Sequence, residues 1–112
     1  MSARTLVNLL NNKDVSWDGT DLGVQPTIKG TNALQVMIMG TNAVPYLLRS
    51  LAKPDRFVVA HVLLTKITLS TFPSDSTHWN LLPVDLLSDG HVVYGKDAQA
   101  VVFGYWHSRL AQ

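Results

Sequence analysis

The segment from Phe57 to Ile67 constrains this chain most. Phe57, Ala60, Leu64 and Ile67 are spaced by 3, 4 and 3, which lays them on one stripe of a helix. Val58, Val62 and Leu63 widen that stripe until little polar surface is left. A helix this apolar has to be covered on more than one side, so the rest of the chain must supply several covering elements. With 112 residues, it has the length of one domain. Folding a chain of this size buries roughly two-thirds of the unfolded surface, enough for a core of its own. The composition is 46% hydrophobic and only 15% charged, against about 25% charged in ordinary domains. Two explanations fit: a dense core, or an exposed apolar surface that meets a partner or a second copy.

The same figures exclude several classes. The chain is too apolar to be intrinsically disordered. Nine Lys+Arg against eight Asp+Glu give a net charge of +1, without the basic excess of a nucleic-acid footprint. There is no apolar run long enough for a membrane span. There is no cysteine, which rules out disulfides and thiolate metal sites. Residues 1–12 lack the continuous apolar stretch of a signal peptide, so a cytoplasmic location is the default expectation.

The patterning predicts one domain with four parts. Residues 1–30 read as a helix followed by a loop. Ser2 is placed to cap the helix, and Val7 lies beside the apolar positions Leu6, Leu9 and Leu10, which continue the helix to about Asn12. Gly19, Gly23, Pro26 and Gly30 then punctuate a loop with at most a short extended piece. Residues 31–69 read as helices. Ala33, Val36 and Met39 form the first stripe, with Thr31 or Asn32 as cap and Gly40 as terminator. Asn42 is the expected cap of the next helix, with Pro45 in its first turn and Val44, Leu47, Leu48 and Leu51 as its stripe. Residues 79–95 predict a β-hairpin, Leu81–Leu87 and His91–Tyr94, turning at Asp89-Gly90. Pro83 should place its first strand at an edge or start it late. Residues 97–111 predict a last helix, capped by Asp97, with Val102, Phe103, Trp106 and Leu110 as its apolar rows.

The middle segment resembles a HEAT or HEAT-like repeat. Its carriers are Val36-x-x-Met39-Gly40-x-x-Ala43-Val44-Pro45-x-Leu47-Leu48-x-x-Leu51, then Pro54-Asp55, then Ala60, Leu64 and Ile67. The resemblance spans about residues 32–68 and implies an antiparallel helix pair with a bias toward protein binding or scaffolding. HEAT repeats place Val-Arg early in the second helix, where this chain has Phe57 and Val59, and only one pair is readable. The expected fold is therefore α+β and mainly helical: a HEAT-like antiparallel helix pair, a C-terminal β-hairpin and a final helix.

No motif of chemistry stands out. The four histidines (His61, His78, His91, His107) have no i, i+4 spacing and no His-Glu-x-x-His. A zinc site of dispersed histidines with Asp75 has no local ligand motif behind it. Asp14, Asp18 and Asp21 suggest a calcium loop only superficially, because the chain contains no glutamate for the bidentate position. They read better as turn residues. Ser74, Ser76 and Ser88 lie in loop sequence without a nucleophile motif. Arg49, Lys53 and Arg56 cluster around one helix end, where cations are favourable in any case. No catalytic residue, metal ligand or cofactor is assigned, and neither nucleic acid nor membrane is expected as a partner. The leading expectation is a small non-catalytic interaction or structural module that binds a protein partner or forms a homo-oligomer. The alternative is a ligand-binding protein or enzyme whose pocket is lined by Trp17, His61, Trp79, Trp106 and His107, with a histidine as general base.

Overall fold

The computed structural model describes residues 2–20, 23–70, 72, 77–89 and 91–110. The order is α1 (Ala3–Asn8), β1 (Val15–Thr20), β2 (Gly23–Ile28), α2 (Thr31–Met39), α3 (Val44–Ser50), α4 (Phe57–Ile67), β3 (His78–Trp79), β4 (Leu82–Leu86), β5 (Val92–Tyr94) and α5 (Ala98–Leu110). The fold is α+β, mainly helical, with two small antiparallel sheets.

α4 is the axis of the core. Every residue from Phe57 to Thr65 is buried, and α2, α3, α5 and β1 all pack on it. The excess of apolar rows on this helix is therefore core. α5 behaves differently: Ala98, Val102 and Trp106 point inward, while Val101 and Phe103 face out.

The N-terminal region departs from expectation. α1 starts at the Ser2 cap, whose Oγ accepts from Thr5 N, but it ends at Asn8 rather than Asn12. Asn11 and Asn12 serve as caps instead. Asn11 Oδ1 accepts from Lys13 N, and Asn11 N donates to Asp14 Oδ2, closing a short 3-10 turn over Asn12–Asp14. Asn12 reaches across the chain. Its Oδ1 accepts from Val58 N at 2.9 Å and Val59 N at 3.3 Å, and its Nδ2 donates to Pro54 O. The first turn of α4 is thus capped by a residue from a distant segment, while its own N-cap residue, Arg56, has no side-chain capping bond.

The expected loop over 13–30 is largely a β-hairpin, β1 paired antiparallel to β2. Val15 and Trp17 alternate inward on one strand, Val24 and Pro26 on the other. By residue type alone, Gly19, Gly23 and Pro26 point to a loop. Pro26 is tolerated because Lys29 N bonds Asp14 O, which makes Asp14–Lys29 a hydrogen-bonded pair. Three residues along, Trp17–Pro26 is then a non-bonded pair, and the missing N–H faces away from the ladder.

Helix starts differ in the same way. α2 is preceded by Gly30 (φ +91°) as N-cap, not Thr31 or Asn32, and an added Cβ there would lie 2.9 Å from Asp14 Oδ1. α3 is entered through a 3-10 turn over Gly40–Ala43 that contains Asn42, with Ala43 as N-cap and Pro45 in the first turn. Gly40 ends α2 at φ +63° as expected.

The C-terminal hairpin is present as β4 and β5, and β3 adds a third strand. β4 is therefore central, not an edge. Pro83 sits at the last rung opposite Gly95, where Gly95 N still donates to Pro83 O; a Cβ on Gly95 would come within 2.8 Å of the proline. β3 and β4 are joined by Asn80 and Leu81, both at positive φ (45° and 71°), the geometry of a type I′ turn. Gly90 of the predicted Asp-Gly turn lies outside the described residues; Asp89 beside it bonds the backbone and ring of His91.

Candidate functional site

Four of the five residues expected to line a pocket converge in space. α4 supplies His61, α5 supplies Trp106, β3 supplies Trp79 and β1 supplies Trp17. Their rings meet edge to face in a chain: Trp17 to Trp79 at 6.0 Å, Trp79 to His61 at 5.7 Å, His61 to Trp106 at 6.0 Å. Such T-shaped contacts set a positive ring edge against a negative face.

The polar atoms of this chain are matched to one another. Trp106 Nε1 donates to His61 Nδ1 at 2.7 Å, which fixes the neutral tautomer with its proton on Nε2. Nε2 faces Trp79 O at 3.4 Å. Thr65 Oγ1 donates to the carbonyl of His61 and accepts from Asn80 Nδ2. Trp17 Nε1 donates to Tyr94 Oη at 3.0 Å. Burial pushes the His61 imidazole down from 6.5 to about 4. The Trp106 N–H acts in the same direction, because it needs an unprotonated nitrogen. Burial also raises the Tyr94 phenol.

His61 and Trp106 expose no surface to solvent, and Trp79 and Trp17 expose little. The cluster is a closed, hydrogen-bonded core, and proton exchange between His61 and a ligand would require that core to open. His107 stands apart. Its ring stacks on Phe103, one turn back on α5, at 4.1 Å, and its Nε2 is buried without a partner.

The other sequence candidates disperse. Asp14 is spent on the 3-10 turn, Asp18 is exposed on β1, and Asp21 lies outside the described residues, as do Asp75, Ser74 and Ser76. Among the described residues, no three His, Cys, Asp or Glu side chains come together to hold a metal ion. Among them, too, no helix is long and apolar enough to cross a membrane.

One constellation was only half visible. Arg49, Lys53 and Arg56, which neighbour one another in sequence, are joined by Arg4 from α1 around a cup of about 210 Å³. Asn8, Tyr46 and Ser50 complete its wall. Arg56, which lines the cup, has its Nε buried with no hydrogen-bond partner. The signal available in sequence was the cationic trio; the packing of α1 against α3 supplies the fourth member. Comparison with known proteins finds no family model, no curated protein and no solved structure that matches this chain.

Proposed function

We propose that the protein is a small, non-catalytic, cytoplasmic interaction module that pairs with a second copy of itself through α2. The observation that carries this reading is the composition and exposure of that helix. Thr31–Met39 contains no charged residue. It buries Ala33 and Val36 but leaves Leu34 44% and Ile38 77% exposed, one turn apart on the same face. A two-fold interface sets a surface against itself, so like charges would meet like charges. A charge-free aliphatic ridge avoids that cost and gains by burial. The HEAT-like reading of α3 and α4 sits comfortably beside this: the two helices pack on each other, and the small Ala60 is fully buried.

Sedimentation at micromolar concentration tests it. A dimer is expected, with Ile38→Lys dissociating it to a folded monomer. A wild-type chain that is monomeric throughout overturns the reading, as does a dimer that Ile38→Lys and Leu34→Glu both leave intact.

A further inference from the structure

We infer that the cup formed by Arg4, Arg49, Lys53 and Arg56 is a binding site for a phosphomonoester dianion. Four of the chain's nine Lys and Arg residues surround this one small cavity, and no carboxylate lines it. In a protein of net charge +1, that is a concentration of like charge which repels itself when empty.

Helix-end electrostatics does not account for it. Arg49 in the last turn of α3 is well placed for the helix dipole, and Lys53 lies just beyond. Arg4 comes from α1, however, and Arg56 is the N-cap residue of α4, the end at which a cation is disfavoured. The first N–H groups of α4 are already taken by Asn12, so the backbone asks for nothing at this position.

Within the cluster, the guanidinium of Arg56 is poorly satisfied by the protein. Its Nη1 reaches Asn8 Oδ1 only at 3.4 Å, and its Nε is buried with no partner. A buried, unpaired donor on a charged group costs free energy unless something accepts from it. An anion that accepts from the rest of this guanidinium, which lines the cup, would offset that cost. Arg49 lies over the Tyr46 ring, 5.6 Å from its centroid, which limits its freedom before any ligand arrives.

The chemistry narrows the ligand class. Guanidinium groups present planar forks that match phosphoryl oxygens, and four cations call for more than the single charge of a carboxylate. A volume of about 210 Å³ is smaller than the cavities that take drug-sized molecules, so the cup admits one phosphoryl group with a few attached atoms. Duplex nucleic acid fits less well: the cationic surface is concave and local, whereas phosphate backbones are tracked by extended basic stripes.

Titration of the 15N-labelled full chain, at constant ionic strength, tests the assignment. The probes are inorganic phosphate, glycerol 2-phosphate, sodium chloride and a duplex oligonucleotide. We expect saturable amide shifts confined to residues 4–8 and 46–56 with both phosphates and none with chloride. Arg49→Ala/Lys53→Ala replaces two exposed side chains. It should retain the folded spectrum and bind about tenfold or more weakly, the scale of a lost charge-assisted hydrogen bond. Equal shifts with chloride, no saturation, or undiminished binding by the double variant overturns the site. Duplex binding tighter than that of either phosphate, with a steep salt dependence, overturns the ligand class.

Discussion

His61 and Arg56 lie on or beside the same helix, five positions apart, yet their polar atoms meet opposite conditions. Around His61, donors and acceptors are matched inside the molecule: the Trp106 indole donates to Nδ1, Nε2 faces the Trp79 carbonyl, and Asn80 and Thr65 continue the network. Around Arg56, a buried Nε finds no acceptor and three further cations gather. The first region holds aromatic chemistry that sequence alone associates with a pocket, but its completeness marks it as architecture. The second holds unremarkable surface residue types, and its incompleteness is what points outward. Polar satisfaction, rather than residue type, separates them.

Cutting into the first region should cost the most. Trp106→Ala removes a fully buried indole and strands His61 Nδ1, for an expected loss of about 3–5 kcal/mol in denaturant unfolding. Any loss below about 1 kcal/mol would mean that the aromatic chain is not a packed core.

Acid probes the same contact. The folded imidazole titrates near 4, below its ordinary 6.5, so the unfolded chain binds more protons between those values. Stability is complete above about pH 6.5 and falls as the pH drops toward 4. The gap corresponds to about 3 kcal/mol. His61→Gln, which keeps an acceptor but does not titrate, should flatten this part of the stability–pH curve. A curve of unchanged slope would sink the neutral-histidine reading.

An intermediate effect is expected at Asn12. Asn12→Ala removes the cap of α4 and the bond to Pro54, at a cost of about 1–2 kcal/mol by chemical denaturation. The smallest effect should come from the second region. Lys53→Ala, without added anion, should change stability by no more than about 0.5 kcal/mol, and toward stabilisation, since it relieves repulsion. A loss of more than about 1 kcal/mol would show that the cationic cup holds the fold together and erase the contrast.

Much of the fold was legible because its signals are local. α2, α4, β4, β5 and α5 follow from periodicity, and Pro45 and Gly40 from the residue types that helix ends require. The β1–β2 hairpin was missed because Pro26 and the glycines dominate a short period-2 pattern, and only the ladder geometry shows that the proline costs no bond. The caps of α2 and α3 differ from expectation because Gly30 and Ala43 hold the entry positions, while Thr31 lies inside α2 and Asn42 inside the preceding 3-10 turn; the residue that caps α4 is remote in sequence. As for the aromatic residues, adjacency was misleading for His107. Neighbours on a helix point about 100° apart, so Trp106 turns into the core while His107 joins the outer row with Phe103. That Trp79 reaches His61, and Trp17 reaches Trp79, is a tertiary fact with no local trace.

The cross-chain reach of residues 8–12 has a kinetic consequence. Asn8 to Arg56, Asn12 to Pro54 and Asn12 to Val58 are separated by 48, 42 and 46 residues. The Val58 and Val59 N–H groups at the start of the central helix therefore find their acceptor only when a loop of this length has closed. Loop closure and completion of α4 become a single cooperative event, and the entropy of bringing the ends together falls on the folding barrier instead of being spread along the chain. The same closure carries α1, and Arg4 with it, toward the cup. The cationic site consequently assembles with the core rather than after it.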